Sequence, residues 1–318
     1  MYPLLLKAPI KDYLWGGTKL KTEYSFETDK EIAAEAWLLS CHKDGSDVVI
    51  NGEHAGKSLP EVLEIWGKEA LGEKAAKFTY FPLLIKFIDA KQSLSVQVHP
   101  DDEYALKNEG EYGKTEMWYV VDCEEGAELI YGFKDKISEE EFRRRISDNT
   151  LTDVCNSVPV NKGDVFFITA GTLHAIGGGI LIAEVQQNSN STYRVYDFGR
   201  LGVDGKPREL HIEKAVDVTK REKPTVPYGN VGKITKIGNN SERELASCDL
   251  FTASVLELCD NTEIIEKDSF ISLVVLDGEV NVKWEDDEIK AKKGDSIFVP
   301  ANFKVNIFGK AQILCSKV

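Results

Sequence analysis

Lys162-Gly-Asp-Val-Phe-Phe-Ile-Thr-Ala170 and Lys293-Gly-Asp-Ser-Ile-Phe-Val-Pro-Ala301 are two versions of one pattern. In each, a Gly-Asp turn feeds a short apolar strand that ends at a small residue. Upstream, Trp118-Tyr-Val-Val-Asp122 matches Leu273-Val-Val-Leu-Asp277 in the same order. The separation differs, with 44 residues from Trp118 to Lys162 but 20 from Leu273 to Lys293. The first copy therefore carries an insertion, and a helix start at Ser138-Glu-Glu-Glu141 accounts for it. Arg143, Arg144 and Arg145 follow late in that helix, where cations suit its dipole. Working outward, short β-rich runs at 81–88, 93–98, 117–121, 165–169, 180–185, 251–258, 271–276 and 296–299 are separated by Gly, Asn and Asp. Many short strands with turn signals predict a sandwich or barrel. Ser58-Leu-Pro-Glu61 is a capping-box start for a helix toward Leu71, and Pro100-Asp-Asp102 opens a helical turn.

The two copies differ in chemistry. Eleven residues after Gly163 stands His174, whereas eleven after Gly294 stands Val305, and the second copy has no histidine. This pattern resembles the cupin superfamily of small jelly-roll barrels. The expected fold is mainly β, a double cupin-like jelly-roll β-sandwich with a few helices. Residues 1–235 are expected to form a metal-binding unit with an N-terminal extension and a helical insertion. Residues 236–318 are expected to form a metal-free unit in a supporting role. The stretch 219–244, poor in apolar residues, is the expected joint.

Bulk properties narrow the function. A chain of 318 residues can bury a substantial core. Its formal net charge of −14 repels a polyanionic backbone, so nucleic acid is not an expected partner. A small phosphorylated ligand remains admissible if Lys and Arg cluster locally. The early apolar run, residues 3–6, is too short for a signal peptide or a membrane span, which leaves the cytoplasm as the default compartment. The six cysteines stand singly with no CxxC pair, so neither a thiolate zinc site nor a disulfide framework is indicated.

Only five histidines occur, His42, His54, His99, His174 and His211. Strand periodicity puts Ser95, Gln97 and His99 on one face, and Lys114, Glu116 and Trp118 on another. Polar groups facing the inside of a small barrel need partners. Gln97, His99, Glu116 and His174 thus make four N/O donors from three separated segments. Two imidazoles, a carboxylate and an amide oxygen suit zinc, one ion per chain, with manganese or iron as alternatives. Each of these residues taken alone also fits an ordinary role, His99 as a hydrogen-bonded core histidine and Glu116 as a surface carboxylate at a strand start.

Several separate segments, in order along the chain, carry a closer resemblance. Val96-Gln97-Val98-His99-Pro100-Asp101, Gly113-Lys114-Thr115-Glu116-Met117-Trp118 and Ala170-Gly171-Thr172-Leu173-His174-Ala175 resemble the Q-x-H-P-D, G-K-x-E-x-W and A-G-x-x-H-A segments of the type I mannose-6-phosphate isomerases. Gln186-Gln187-Asn188-Ser189 with Tyr193-Arg194-Val195-Tyr196-Asp197 resembles the short bacterial form; Trp15-Gly16-Gly17 and Glu35-Ala36-Trp37 also fit. The resemblance covers roughly residues 1–215 and implies metal ligands at Gln97, His99, Glu116 and His174. It implies substrate contacts at Ser95, Lys86 and Lys114, and catalytic roles for Arg194 and Lys114. The implied reaction is the interconversion of mannose 6-phosphate and fructose 6-phosphate through a cis-enediol.

These residue types suit that chemistry. A divalent ion and Lys114 can stabilise charge on the sugar oxygens, and Arg194 offers a planar fork for a phosphate or an enediolate. Lys86 lies in an apolar strand, where its ammonium needs either a substrate anion or a route to water. The general base is left open among a lysine, a metal-bound water and a carboxylate such as Glu35 or Asp197. Trp15, Trp37 and Trp118 are candidates for the sugar site or for the core. Two other classes compete: a non-haem iron cupin oxygenase, which also uses two histidines and a carboxylate, and a non-catalytic sugar-binding cupin.

Overall fold

The two Gly-Asp turns fold alike down to individual hydrogen bonds. The computed structural model describes residues 1–202 and 205–318. In it Gly163 and Gly294 take φ of +91° and +97°, a region that favours glycine. Asp164 Oδ2 accepts from Asn161 N–H and Asp295 Oδ2 from Lys292 N–H, both at 2.8 Å. Gly163 N–H donates to Val120 C=O, and Gly294 N–H donates to Val275 C=O. Val120 and Val275 are the residues that the sequence repeat aligns, so the repeat is structural.

The first barrel consists of two facing sheets. One has the order Val165–Ile168, Glu116–Cys123, Ile180–Gln187, Leu83–Ala90, Glu35–Leu39, Ile10–Lys11. The other has the order Cys155–Pro159, Glu128–Phe133, His174–Ala175, Val96–Val98, Tyr193–Tyr196. Trp118, Val120, Ile88 and Ile182 of the first sheet pack on Leu129 and Tyr131 of the second. The alternate residues Met117, Tyr119, Ile85, Phe87 and Val185 point the other way. They meet Phe270, Val274, Phe298 and Leu314 of the C-terminal unit in one shared core. Strands of the first sheet are thus buried on both faces, which explains why they read as continuous apolar runs.

The second barrel is an antiparallel sheet of ten strands with its own interior of Leu273, Val275, Ile297, Val305 and Ile313. Val305, the counterpart of His174, is fully buried among these apolar side chains. The N-terminal strands Leu4–Lys7 and Val48–Val49 extend this sheet, so the chain starts on the C-terminal unit. The expected joint at 219–244 is only partly a connector. Ile234–Ile237 and Asn240–Ser247 pair as strands at the edge of the ten-stranded sheet. Ile234–Ile237 is exposed throughout, so it lacks the apolar alternation that marks a half-buried strand. The expected boundary at 235/236 falls inside it.

The helices follow their caps. Ser58 and Glu61 close a capping box on Leu59–Trp66, which stops at Gly67, short of Leu71. Ser138 Oγ accepts from Glu141 N–H to start Glu139–Ser147. This helix and Ile212–Val218 cover the outer face of the five-stranded sheet through Phe142, Ile146, Ala215 and Val216. Among the described residues no helix is long and apolar enough to cross a membrane.

Candidate metal centre and substrate cavity

His99 and His174 approach from neighbouring segments of the five-stranded sheet, and Glu116 approaches from the facing sheet. The His99 and His174 Nε2 atoms are 3.1 Å apart. Glu116 Oε2 lies 3.7 Å from His99 Nε2, and Oε1 lies 3.4 Å from His174 Nε2. Gln97, directly across the strand pair from His174, puts its amide 3.4 Å from the same Nε2. The four expected donors therefore converge. His42, His54 and His211 lie elsewhere, bonded to Glu111, Trp66 and the Arg194 backbone respectively.

The protonation pattern explains what this cluster can hold. His99 Nδ1 lies 2.9 Å from Ser191 C=O, and His174 Nδ1 lies 2.8 Å from Thr172 C=O. A carbonyl only accepts, so each Nδ1 carries the proton and each Nε2 turns a lone pair inward. Burial disfavours a second proton on either ring. It holds His174 down at about 4 and, together with Lys114, His99 well below its ordinary value. Two inward lone pairs cannot bond each other. Glu116 is fully buried, and neither of its oxygens accepts a well-directed hydrogen bond, although Lys114 Nζ lies 2.8 Å from Oε2. A buried set made only of acceptors is a cation site. Tetrahedral bonds of about 2.0–2.1 Å require ligand atoms about 3.3 Å apart, which the spacing here matches. Turning the Gln97 amide about its terminal bond brings its oxygen to the same place.

Burial and the neighbouring Glu184 push the Glu116 carboxyl upward, and Lys114 beside it opposes them. Burial also opposes charge on Glu184, but Lys114 and Lys86 outweigh it and hold this carboxylate below its usual range. Lys114 is itself kept charged, since Glu116 and Glu184 more than offset its desolvation.

Above this cluster lies a cavity of ≈ 290 Å³. Ser95, Gln97, Lys86, Lys114 and Arg194 all line it. So do Glu35, Glu184 and Arg208. Lys86 differs from expectation. It is 4% exposed, so its head meets the cavity and not the outer surface, and it has carboxylate partners. Glu35 Oε2 lies 3.5 Å and Glu184 Oε1 3.7 Å from its Nζ, which also sits over the Trp37 ring. The three tryptophans divide. Trp15 lines the cavity, while Trp37 and Trp118 are fully buried behind it. Trp37 Nε1 donates to Glu35 Oε2 at 2.7 Å, and Trp118 Nε1 donates to Glu184 Oε2 at 2.8 Å.

Asp197 does not line the cavity. Its carboxylate accepts from Arg208 Nε at 2.7 Å, Arg208 Nη2 at 2.5 Å and Arg200 Nη2 at 2.7 Å. Burial opposes its charge, but the two arginines hold it below the ordinary range. With both oxygens taken by arginines and no place in the cavity lining, this carboxylate is an anchor.

Sequence reasoning missed Glu184 and Arg208. Glu184 had a signal, a lone charge in the run Ile180-Leu-Ile-Ala-Glu184-Val, mirrored by Lys86 in Leu84-Ile-Lys86-Phe. The two are direct cross-strand partners, and Trp118 and Trp37 flank them in the same row. Two isolated opposite charges in apolar strands predict each other. Arg208 lies in irregular chain, where no periodicity marks it.

Comparison with known proteins places this geometry. Residues 4–135 match the family model described as phosphomannose isomerase type I, catalytic domain. Residues 241–318 match that described as mannose-6-phosphate isomerase, cupin domain. The chain is 38% identical over 315 residues to a mannose-6-phosphate isomerase of Streptococcus mutans, covering 99% of this chain and 98% of the relative. It is 36% identical to mannose-6-phosphate isomerase ManA of Bacillus subtilis, covering 94% and 93%. A crystal structure of a Bacillus subtilis mannose 6-phosphate isomerase superposes with a TM-score of 0.92 at 34% identity, covering 100% of both chains.

Proposed function

The chain belongs to the type I phosphomannose isomerases, and from that premise we propose that it interconverts mannose 6-phosphate and fructose 6-phosphate with one zinc ion per chain. The observation that carries the proposal is the inward-facing acceptor set of Gln97, His99, Glu116 and His174 beneath a cavity lined by four cations and two carboxylates. In this reading residues 1–235 form the catalytic unit, apart from Leu4–Lys7, Val48–Val49 and the start of Ile234–Ile237, which extend the ten-stranded sheet, and 236–318 form the metal-free supporting one.

A divalent ion held by the four donors supplies Lewis-acid stabilisation for charge that develops on the sugar oxygens. The protein's own groups do the rest. Ser95 and Lys114 orient the sugar oxygens at the floor of the cavity. Lys114 adds a donor beside the reacting end, where it offsets negative charge. Arg194, a half-buried residue, sits across the strand pair from Gln97; its Nε is buried with no partner among the described residues, and the guanidinium at the cavity wall is suited to an anionic oxygen of the substrate. Lys86 and Trp118 fix Glu184 from two sides. Its Oε2 is taken by Trp118, and Oε1 has no well-directed hydrogen bond. An ionised carboxylate with one oriented, unoccupied oxygen at the cavity floor is suited to move the proton between C1 and C2, and we assign that role to Glu184.

The two-histidine, one-carboxylate set of an iron oxygenase leaves positions open. Here Gln97 stands against the cluster, and a cationic cavity serves a phosphorylated substrate. An intact donor set also weighs against a non-catalytic sugar-binding role. Steady-state turnover by the metal-replete protein tests the proposal. Mannose 6-phosphate is expected to react at least about 100-fold faster, by kcat/KM, than free mannose, since the latter forgoes charge-assisted bonds worth about 3 kcal/mol together. Equal rates for the two sugars, or turnover of neither, would contradict it.

A further inference from the structure

We propose that Arg208, held in place by Asp197, is the residue that recognises the phosphate group of the substrate; the assignment rests on the sugar-phosphate reading above. It begins with the unequal pairing of the four cavity cations. Lys86 lies beside Glu35 and Glu184, and Lys114 beside Glu116 and Glu184, so both lysines have their carboxylates at the metal side. Arg208 is paired to Asp197, which stands outside the cavity lining. Arg200 shares that single carboxylate. Among the described residues, Arg194 Nη1 donates to Glu209 C=O. Three guanidinium groups therefore gather around the Asp197 carboxylate, with the Glu209 carboxylate also near Arg194, and two of the three line the cavity.

The geometry of the guanidinium makes Arg208 suited to an anion. It has two edges, each able to grip a pair of oxygens. Asp197 occupies the Nε/Nη2 edge. The Nη1/Nη2 edge is the one left for a second oxyanion. A carboxylate behind the arginine fixes the fork before the ligand arrives, which lowers the ordering cost of binding. The surplus positive charge of the group matches a dianionic phosphate. Arg194 stands next to Gln97 and so bridges between this end and the metal side. A hexose phosphate laid along the cavity then has its reacting carbons at the metal and its phosphate at Arg208. Asp197 is a positioning residue in this account.

The test uses the metal-replete Arg208→Ala, Arg208→Lys and Asp197→Asn proteins. It follows steady-state kinetics with mannose 6-phosphate and the calorimetric Kd of inorganic phosphate. Losing one charge-assisted bidentate contact weakens binding by about 10–100-fold. Arg208→Ala is expected to raise KM and the phosphate Kd by that factor, with the smaller change in kcat. Arg208→Lys, charged but without the fork, is expected to fall between it and the parent. Asp197→Asn is expected to raise KM in the same direction by less. A fall in kcat at unchanged KM, or an unchanged phosphate Kd in either Arg208 variant, would overturn the assignment. Phosphate calorimetry reads the site without turnover, so a protein inactive on mannose 6-phosphate would refute the isomerase reading and leave this result separate. Lysine is the less disruptive replacement, and it keeps the test decisive if the alanine variant does not fold.

Discussion

The Glu184→Gln protein is expected to keep its fold and its metal and to lose about 10²–10⁴-fold in kcat, the usual worth of a positioned general base. The substitution is nearly isosteric. It preserves a side-chain oxygen for Trp118 Nε1, which now bonds Glu184 Oε2 at 2.8 Å. What it removes is the negative charge that Lys86 and Lys114 maintain in a fully buried setting. Two lysines are then left with Glu35 and Glu116, so a modest loss of stability is expected as well. The decisive readout is exchange. In deuterated water the parent should incorporate solvent deuterium at C2 of mannose 6-phosphate during turnover, and the variant should lose exchange and isomerisation together. Isomerisation at the parental rate would take Glu184 out of the proton transfer and return the role to Glu35 or to a water.

Replacing His174 by alanine is expected to abolish metal retention and to lower kcat/KM by about 10³-fold or more, since Lewis-acid stabilisation contributes several kcal/mol. His174 is the hub of the cluster. Its Nε2 lies within 3.4 Å of Gln97, His99 and Glu116. It is fully buried against the edge of Trp118, so truncation also opens a void in the barrel. His174→Gln separates the two effects, because it fills more of the space and offers one weaker donor. Elemental analysis after dialysis should find close to one ion per chain in the parent, almost none in the alanine variant and a partial amount in the glutamine variant. Activity should follow metal content across the three proteins. Full metal retention in His174→Ala would contradict the assigned ligand set.

Much of this was legible in the sequence, for physical reasons. The Gly-Asp turns need a positive φ and a carboxylate cap, so they leave a local signature that repeats at Gly163 and Gly294. The metal donors lie on short strands with period two, and that period fixes which residues share a face at Ser95, Gln97 and His99. Features made by pairing across the sheet were not legible. The Trp118, Glu184, Lys86 and Trp37 row exists only once four strands lie side by side. Lys86 then reads as a buried ion-pair member, where sequence alone offered only substrate or water. Asp197 has the residue type of a base but the surroundings of an arginine anchor, and no spacing rule distinguishes the two. The edge strand Ile234–Ile237 escaped because both of its faces are exposed.

The most direct test of the account is proton NMR of mannose 6-phosphate mixed with the purified protein in three states: loaded with zinc, stripped by a chelator, and stripped then reloaded. The account predicts that fructose 6-phosphate signals grow with the loaded protein, stop growing with the stripped protein and return on reloading. Formation of fructose 6-phosphate at an undiminished rate by protein shown to contain no metal, or its absence with the loaded protein, would contradict the account.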